Sequence, residues 1–177
     1  MKELSSPHYG CYTLQQHGDA PQESWLRLCH DVTLAHRTLR QQPQTAGYRY
    51  LTLYEGAGNT PLRYDDSLIG LGVITFNGCR ASQQAGDTFV LCRSRRTVNG
   101  YSCQTDGHPY SFLVRVVLLL AQYHCPGVWQ IKADIPPIDW LQAQRWIIEH
   151  LQIPLVLPEG SNVFIAPDAD ALKGISH

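Results

Sequence analysis

The sequence predicts an α+β fold: a single domain over residues 1–177, with a mainly antiparallel sheet, helices packed on one face and one helix buried at the centre. Three observations predict it. Strand-like and helical segments follow one another in the order β-α-β-β-β-α-β-α-β-β, with several strands in succession. The run FLVRVVLLLA (112–121) is apolar on nearly every side of a helix, which is typical of a buried helix. The length of 177 residues is usual for one domain.

The first elements are a short strand and a long helix. HYGCYTL (8–14) reads as a strand. Asp19 as a cap and Pro21 in the first turn then open a helix, which Pro43 and Gly47 close. Its apolar positions have helical spacing and predict one buried stripe: Trp25, Leu28, Cys29, Val32, Ala35 and Leu39.

Three strands are predicted between residues 48 and 93. YRYLTLYEG (48–56) alternates between apolar and tyrosine-rich positions, as a strand does. LIGLGVITF (68–76) and DTFVLCR (87–93) read as a long-looped hairpin, with a turn signal at NG (77–78). The glycine-rich EGAGNTP (55–61) lacks the lysine of a phosphate-binding loop, so a turn is expected there.

The buried helix is expected to span 109–123, because Pro109 suits the first helical position. VWQIKAD (128–134) reads as a strand, and Asp139 as the cap of a last helix that ends near Leu151. Two short final strands are predicted, at PLVLP (154–158) and NVFIA (162–166).

Composition excludes several function classes. The formal net charge is -1, so no global field draws the chain to nucleic acid or to anionic lipid. The longest apolar run is much shorter than the roughly 20 residues of a membrane-spanning helix, so no membrane association is expected. We expect a soluble, cytoplasmic protein.

The six cysteines have no C-x-x-C spacing, and several lie inside apolar segments. The chain is too long and too apolar to need disulfides. Free, reduced thiols are therefore predicted, at Cys11, Cys29, Cys79, Cys92, Cys103 and Cys125.

The segment CQTDGHP (103–109), just before the buried helix, is the candidate active site. One interpretation is a helix cap, in which Thr105 or Asp106 accepts from the first-turn amides. A second is that the positive end of the helix binds an anion or lowers the pKa of Cys103. A third is nucleophilic catalysis by Cys103 with His108 as base and Asp106 nearby.

Arginines supply the candidate ligand-binding groups. Arg93, Arg95 and Arg96 precede the buried helix and suit a phosphate-bearing ligand, with Tyr110 close by and Thr105 in the adjoining loop. A solvated loop is the alternative. Arg115, within the apolar run, must find a carboxylate such as Asp87 or Asp134 or reach water, and a ligand-binding arginine at the floor of a pocket is the alternative.

Neither a metal site nor a cofactor site is predicted. His30 and His36 are six residues apart, which is off the i, i+4 face of a helix, and no HExxH or clustered Cys/His set is present. The sequence also has no G-x-x-x-x-G-K-[ST] and no G-x-S-x-G.

FNG (76–78), DTFVLCR (87–93) and CQTDGHPYSFLV (103–114), followed by Trp140, together resemble a pattern found in uncharacterised proteins of bacteriophages and integrated mobile elements. The resemblance covers roughly residues 68–145 and implies a mobile-element origin and an intracellular setting, with no catalytic activity to carry over. The chain departs from the pattern at Ser111, where an acid is common, and at 133–137, where ADIPP replaces a serine-aspartate-glycine stretch.

Three functional hypotheses follow. The first is an accessory protein of a phage or mobile element that binds a host or element-encoded macromolecule without chemistry. The second is a small enzyme or phosphate-ligand binder that uses residues 93–110, and the third is nucleic-acid binding through Arg93, Arg95 and Arg96. A homodimer through a tyrosine face formed by Tyr48, Tyr50 and Tyr54 is a further hypothesis.

Overall fold

The computed structural model describes residues 10–63, 72–95 and 100–157, and the backbone of 163–165. Three α-helices and six strands are present in these ranges. In chain order they are β1 (Cys11–Gln16), α1 (Gln22–Gln41), a 3-10 helix (Pro43–Ala46), β2 (Val73–Phe76), β3 (Phe89–Cys92), β4 (Tyr101–Gln104), α2 (Ser111–His124), β5 (Trp129–Asp134), α3 (Pro137–Leu151) and β6 (Val163–Ile165).

The strands form two antiparallel sheets, and the α+β class predicted from the sequence is confirmed. The main sheet has the order β4-β1-β5-β6, and every neighbouring pair in it is antiparallel. Strands β2 and β3 form the separate predicted hairpin. Because β1 lies between β4 and β5, the start of the chain holds together two segments about a hundred residues further along.

One face of the main sheet is buried and the other is polar. Along β1, Tyr12 and Leu14 are buried while Thr13 is partly exposed, and β5 alternates in the same way. The helices cover the buried face: the Trp25 ring of α1 packs against Trp129, and the Trp140 ring of α3 packs edge-on against Tyr12. This alternation is typical of an antiparallel sheet with one solvated face.

Helix α2 is the centre of the core, as its composition predicts. All its residues from Ser111 to Ala121 are buried, and it packs between α1 and α3. Each fully buried leucine or valine side chain contributes roughly 1.5–3 kcal/mol relative to an exposed position. The helix is therefore a fixed support for whatever lies at its two ends.

The predicted strand at 48–56 is wrong. Leu51 and Leu53 are buried, which explains the alternation, but the segment forms no ladder. Only Tyr54 is paired, in isolated bridges to Pro61 and Asn77. The tyrosines therefore share no strand face: Tyr50 is exposed, whereas Tyr48 packs edge-on against Phe112.

Strand β4 and the end of the chain also differ from the sequence-based prediction. Residues 101–104, of which 103 and 104 were expected to be loop, pair with β1 over their whole length. Residues 154–157 do not form the predicted strand, whereas β6 does form within 162–166. The first four residues of the predicted strand at 68–76 lie outside the described residues.

Both predicted aspartate caps are wrong. The Asp19 carboxylate accepts a hydrogen bond from the Arg95 amide at 2.8 Å, and α1 begins after Pro21 without a side-chain cap. Helix α3 begins at Pro137, so Asp139 lies in its first turn. A carboxylate there still interacts favourably with the helix dipole.

Candidate functional site

The Asp106-Gly107 dipeptide forms a tight turn between β4 and α2. Both residues have positive φ, 55° and 71°, and the His108 amide donates to the Thr105 carbonyl at 3.0 Å. Two central residues with positive φ define a type I′ turn, for which Asp-Gly is a favoured pair. The turn accounts for Asp106 and Gly107 without a catalytic role, and it leaves Asp106 exposed.

Cys103 is a packed, protonated thiol. It lies on β4 and is fully buried, and its sulfur donates to the Asp87 carbonyl at 3.5 Å. Burial raises the pKa of Cys103 to about 12. The hypothesis that the helix end lowers this pKa is therefore wrong, because the effect of burial outweighs the hydrogen bonds of Tyr101 and Tyr110 to the sulfur.

Thr105 ties the turn to the start of the sheet. Its hydroxyl and its amide both donate to the Gly10 carbonyl, at 2.7 and 3.0 Å. The hydroxyl also accepts from the Gly107 amide at 3.4 Å. Thr105 is fully buried and does not cap α2, so the predicted capping and ligand-binding roles are both replaced by a structural one.

The first amides of α2 already have partners. Those of Ser111, Phe112 and Leu113 donate to carbonyls three residues earlier, at 2.9, 3.1 and 3.1 Å. An anion site at a helix end depends on unpaired amides. The amide donors that an anion at this helix end would need are therefore already bonded to carbonyls of the chain itself.

The polar residues of the motif converge on one structural cluster, here called the hairpin junction: Asn77, Gly86, Asp87, Cys103 and Tyr110. The Tyr110 hydroxyl donates to the Asp87 carbonyl at 2.6 Å. The Asp87 amide bonds the Gln104 carbonyl and its carboxylate accepts from the Gln104 amide, both at 2.9 Å. These contacts fasten the β2–β3 hairpin to β4 and to the start of α2.

Asn77 is the most connected side chain of the hairpin junction. It is fully buried and makes four side-chain hydrogen bonds. Its amide group donates to the Gly56 and Gly86 carbonyls, and its oxygen accepts from the Gly78 and Gly86 amides. These four bonds use both N–H donors and both oxygen lone pairs of the Asn side chain, so none is left for a ligand.

Arg115 is buried and bonded inside the core. Its guanidinium donates to the Tyr12 hydroxyl at 3.2 Å and to the Ser111 hydroxyl at 3.1 Å, and it lies over the Phe112 ring. Burial alone would lower the pKa of Arg115, but Tyr12 raises it, so the side chain stays charged. Neither of the acids expected as partners, Asp87 and Asp134, bonds to it.

Two residues of the arginine cluster, Arg93 and Arg95, make backbone hydrogen bonds to the segment between β1 and α1. The Arg93 carbonyl accepts from the Ala20 amide and from the Gln16 side chain, and the Arg95 amide bonds Asp19. The Arg95 side chain is exposed. Arg96 lies outside the described residues, so the proposed phosphate site at these arginines stays a prediction.

Glu55 organises the glycine-rich turn at 55–61. Its carboxylate accepts from the amides of Ala57, Asn59 and Thr60, at 3.0, 2.7 and 3.2 Å. The amides that would cradle a phosphate thus surround a carboxylate of the chain itself. The amides of Asn59 and Ala57, with those of Thr60 and Gly58, hold the pKa of Glu55 below its ordinary value.

Glu55→Gln is expected to destabilise the protein at neutral pH and to matter less in acid. A carboxyl group whose pKa is lowered by folding contributes stability that is present above its ordinary pKa of 4.5 and is lost as the pH falls. Urea-unfolding midpoints at pH of about 7 and about 3 measure the difference. Glu23→Gln, at an exposed carboxylate of α1, is the control. A difference of the same size at both pH values would contradict the role of the charge.

The surroundings of Cys79 lower the pKa of its thiol, whereas those of Cys103 raise it. It follows Gly78 in the β2–β3 connection and is 4% exposed. The Ser82 hydroxyl lowers its pKa most, and the Tyr54 hydroxyl and the amides of Ser82 and Ala81 add to this effect. The thiolate is thus favoured here by hydrogen-bond donors. All six cysteines are free, as predicted.

Alkylation of Cys79 by iodoacetamide is expected to reach half its maximal rate at a lower pH than that of Cys11, whose pKa burial raises. Mass spectrometry of the labelled peptides gives both profiles. Ser82→Ala should move the Cys79 profile to higher pH, and Ser94→Ala, at an exposed serine, should leave it in place. Coinciding profiles for Cys79 and Cys11 would contradict the assignment.

A groove lies along one side of α3, next to the core. It has a volume of about 280 Å³. Phe112 and Trp146 meet edge-to-face in it at 5.8 Å, and the Trp146 indole donates to the Thr45 hydroxyl at 2.9 Å. Its lining consists of the end of the 3-10 helix with Gly47, one residue of α2 and one side of α3: Thr45, Ala46, Gly47, Phe112, Gln142, Arg145, Trp146 and Glu149.

No motif in the sequence marks this groove, because its lining comes from three separate elements. Trp140, Ala143 and Ile147 form the buried side of α3, as the helical spacing predicts. Leu141 and Ile148 are also apolar positions of this helix, yet they are 43% and 41% exposed. More apolar positions than one stripe can bury indicate a second surface on the same helix.

Two further features are absent from the described residues. Nowhere in 10–63, 72–95 and 100–157 do three or more His, Cys, Asp or Glu side chains gather as a metal site would require. Within the same ranges, no helix has the length and apolar character needed to cross a membrane.

Comparison with known protein families, with curated proteins and with solved structures finds no match to this chain. Its function is therefore argued from its own side chains.

Proposed function

We propose that the protein is a non-catalytic binding module, an accessory protein of a phage or mobile element, that acts in the cytoplasm on a host or element-encoded macromolecule. The groove on α3 is the proposed binding site, and a protein is the proposed partner. The observation that carries the proposal is the aromatic floor of the groove under a charged rim.

The size and chemistry of the groove favour a protein partner. A volume of about 280 Å³ lies just below the range of roughly 300–1,000 Å³ usual for small-molecule pockets. It suits one anchoring side chain of a partner. Arginine is enriched at the strongest positions of protein interfaces, and Arg145 is exposed at the rim. Phe112 and Trp146, 3% and 2% exposed, form the largely covered base of the groove.

Several observations speak against the enzyme hypothesis. Cys103 is buried with a raised pKa, Thr105 and Tyr110 are bonded to backbone carbonyls, and Asp106 forms a turn. A nucleophile needs a base within hydrogen-bond reach and access to substrate. Full burial denies Cys103 that access.

A variant that fills the groove tests the proposal. Gln142→Trp places a large ring in it, and Gln22→Trp, at an exposed position of α1, is the matched control. Proteins retained by the immobilised wild type are identified by mass spectrometry, and their affinities are measured with purified components. We expect Gln142→Trp to weaken binding by about tenfold or more and Gln22→Trp to leave it unchanged. Equal binding by both variants, or substrate turnover abolished by Cys103→Ala, would overturn the proposal.

A further inference from the structure

The buried guanidinium group of Arg115 has an N–H donor without a partner. Arg115 is 6% exposed. Its Nη1 group donates to the hydroxyls of Tyr12 and Ser111, at 3.2 and 3.1 Å. Its Nε atom is buried and has no hydrogen-bond partner among the residues that the structure describes. Because nearly all buried donors in proteins are bonded, an unpaired N–H on a charged group points to an acceptor from elsewhere.

The groups in contact with this guanidinium are neutral. Tyr12 and Ser111 offer hydroxyl oxygens, and the face of the Phe112 ring lies 5.6 Å from Cζ. A ring face attracts the positive charge without pairing the N–H groups that lie in the guanidinium plane. Arginine is almost never fully buried unless it is paired. The contacts of Arg115 are therefore short of one strong acceptor.

Asp139, in the first turn of α3, acts on Arg115 from a longer range. Burial has the largest effect on the pKa of Arg115 and lowers it, whereas Tyr12, Tyr48 and Asp139 raise it, in that order. A carboxylate bonded directly to the guanidinium would act more strongly than either tyrosine. Tyr48 and Asp139 are partly exposed, while Tyr12 is buried. These two residues therefore mark the solvent side of Arg115.

Tyr48 covers this solvent side. Its ring packs edge-on against Phe112, at 6.2 Å between centroids. Residues 47–53, which carry Tyr48, belong to no helix or strand. A side chain on such a segment moves at a lower cost than one on a packed helix or a central strand. Movement of Tyr48 is therefore the route by which a ligand reaches the guanidinium.

We propose that the Nε–Nη2 edge of Arg115 binds a short monocarboxylate, of the size of formate or acetate. A guanidinium presents its N–H groups as a planar fork, and it binds a carboxylate best through two parallel N–H···O bonds. Since Nη1 already serves two hydroxyls, Nε and Nη2 are the pair that a carboxylate takes. The small exposed fraction of Arg115 limits the ligand to few atoms beyond the carboxylate itself.

Asp139 favours a ligand with a single negative charge. Its carboxylate lies within electrostatic range of Arg115 and repels a bound anion. The guanidinium compensates for one negative charge on the ligand but not for two. Inorganic phosphate, which is partly dianionic at neutral pH, is therefore expected to bind at least about tenfold more weakly than acetate.

This inference goes beyond the proposed function and does not depend on it. Arg115 is not among the residues that line the groove on α3. The groove-filling Gln142→Trp is expected to bind acetate as the wild type does. Failure of the groove and failure of the carboxylate site are therefore separate results.

An NMR titration of the full chain with sodium acetate tests the inference, with sodium chloride holding the ionic strength constant. The side-chain Nε–H signals of arginines are recorded, and that of Arg115 is assigned by its loss in Arg115→Lys. We expect this signal to shift and to saturate, with half-saturation at about 1–30 mM acetate. The signal of Arg40, an exposed arginine of α1, is expected to stay in place.

Variants test the role of the fork and of the nearby charge. Acetate should raise the thermal unfolding midpoint of the wild type and of the control Arg40→Lys, because it binds the folded state. Arg115→Lys keeps the positive charge but lacks the fork, so its midpoint should not respond. Asp139→Asn removes the repelling charge and should tighten acetate binding by about threefold.

Three results would overturn the inference. They are the lack of a saturable shift of the Arg115 signal up to about 100 mM acetate, an equal shift with chloride, and an acetate response that Arg115→Lys retains in full. Should Arg115→Lys not fold, single-residue labelling assigns the signal, and the wild-type titration together with Asp139→Asn decides. Weaker acetate binding by a folded Asp139→Asn would then contradict the site.

Discussion

Gly78→Ala is expected to prevent stable folding. A Cβ at this position would lie 2.0 Å from the Gln84 carbonyl oxygen and 2.8 Å from its carbon, both of them backbone atoms. It would also meet the Tyr110 ring at 3.1 Å. The loop cannot yield locally, because the Gln84 amide is bonded to the Cys79 carbonyl. We expect a loss of more than about 3 kcal/mol, at the upper end of single substitutions.

Urea unfolding followed by circular dichroism measures this loss. Gly18→Ala is the matched control, since nothing lies within 4 Å of a Cβ there. The control should change the free energy of unfolding by less than about 0.5 kcal/mol. A Gly78→Ala protein as stable as the control would show that the β2–β3 connection is not packed as described.

Asn77→Ala is expected to cost about 3–5 kcal/mol of unfolding free energy. The substitution removes four hydrogen bonds from a fully buried position and leaves the Gly78 and Gly86 amides without their acceptor. Buried donors left unpaired cost about 1–3 kcal/mol each. The hairpin would also lose one of its bonds to the 54–58 segment, the one to the Gly56 carbonyl, while the backbone bonds between Asn77 and Tyr54 remain.

Asn59→Ala separates this effect from the general cost of losing an asparagine. Asn59 is exposed in the neighbouring turn, and its bond to Glu55 uses the backbone amide, which alanine keeps. Chemical denaturation should show a small change for Asn59→Ala and a large one for Asn77→Ala. Similar midpoints for the two variants would show that the hydrogen bonds of the Asn77 side chain do not stabilise the hairpin junction.

The sequence could predict α2 and its burial because an apolar run of this length leaves a helix no polar face. It could not predict β4. Tyr101 to Gln104 alternate between apolar and polar residues, but four residues are too few to distinguish a strand from a loop. They form a strand because β1, about ninety residues earlier, pairs with them. The strand expected at 48–56 does not form for the converse reason: the residues alternate as in a strand, but no neighbouring strand pairs with them along their length.

Dependence on partners distant in sequence also explains why residues 103–110 look like an active site in the sequence. Cys103, Thr105 and Tyr110 look like catalytic groups in sequence because thiol, hydroxyl and phenol stand close together. Their partners are the carbonyls of Asp87 and Gly10, which every residue type possesses and no motif marks. The phage-like motif therefore has a structural explanation in the hairpin junction, while the origin it implies stays a prediction.

Alkylation of Cys103 in the native protein tests most directly whether the segment before α2 has a structural role and is not an active site. Cys103, with a pKa of about 12 and no exposed surface, is expected to resist iodoacetamide at neutral pH while partly exposed Cys11 reacts. In a urea series, its labelling should begin only at the midpoint of global unfolding. Rapid labelling of Cys103 in the folded protein at neutral pH would contradict the account.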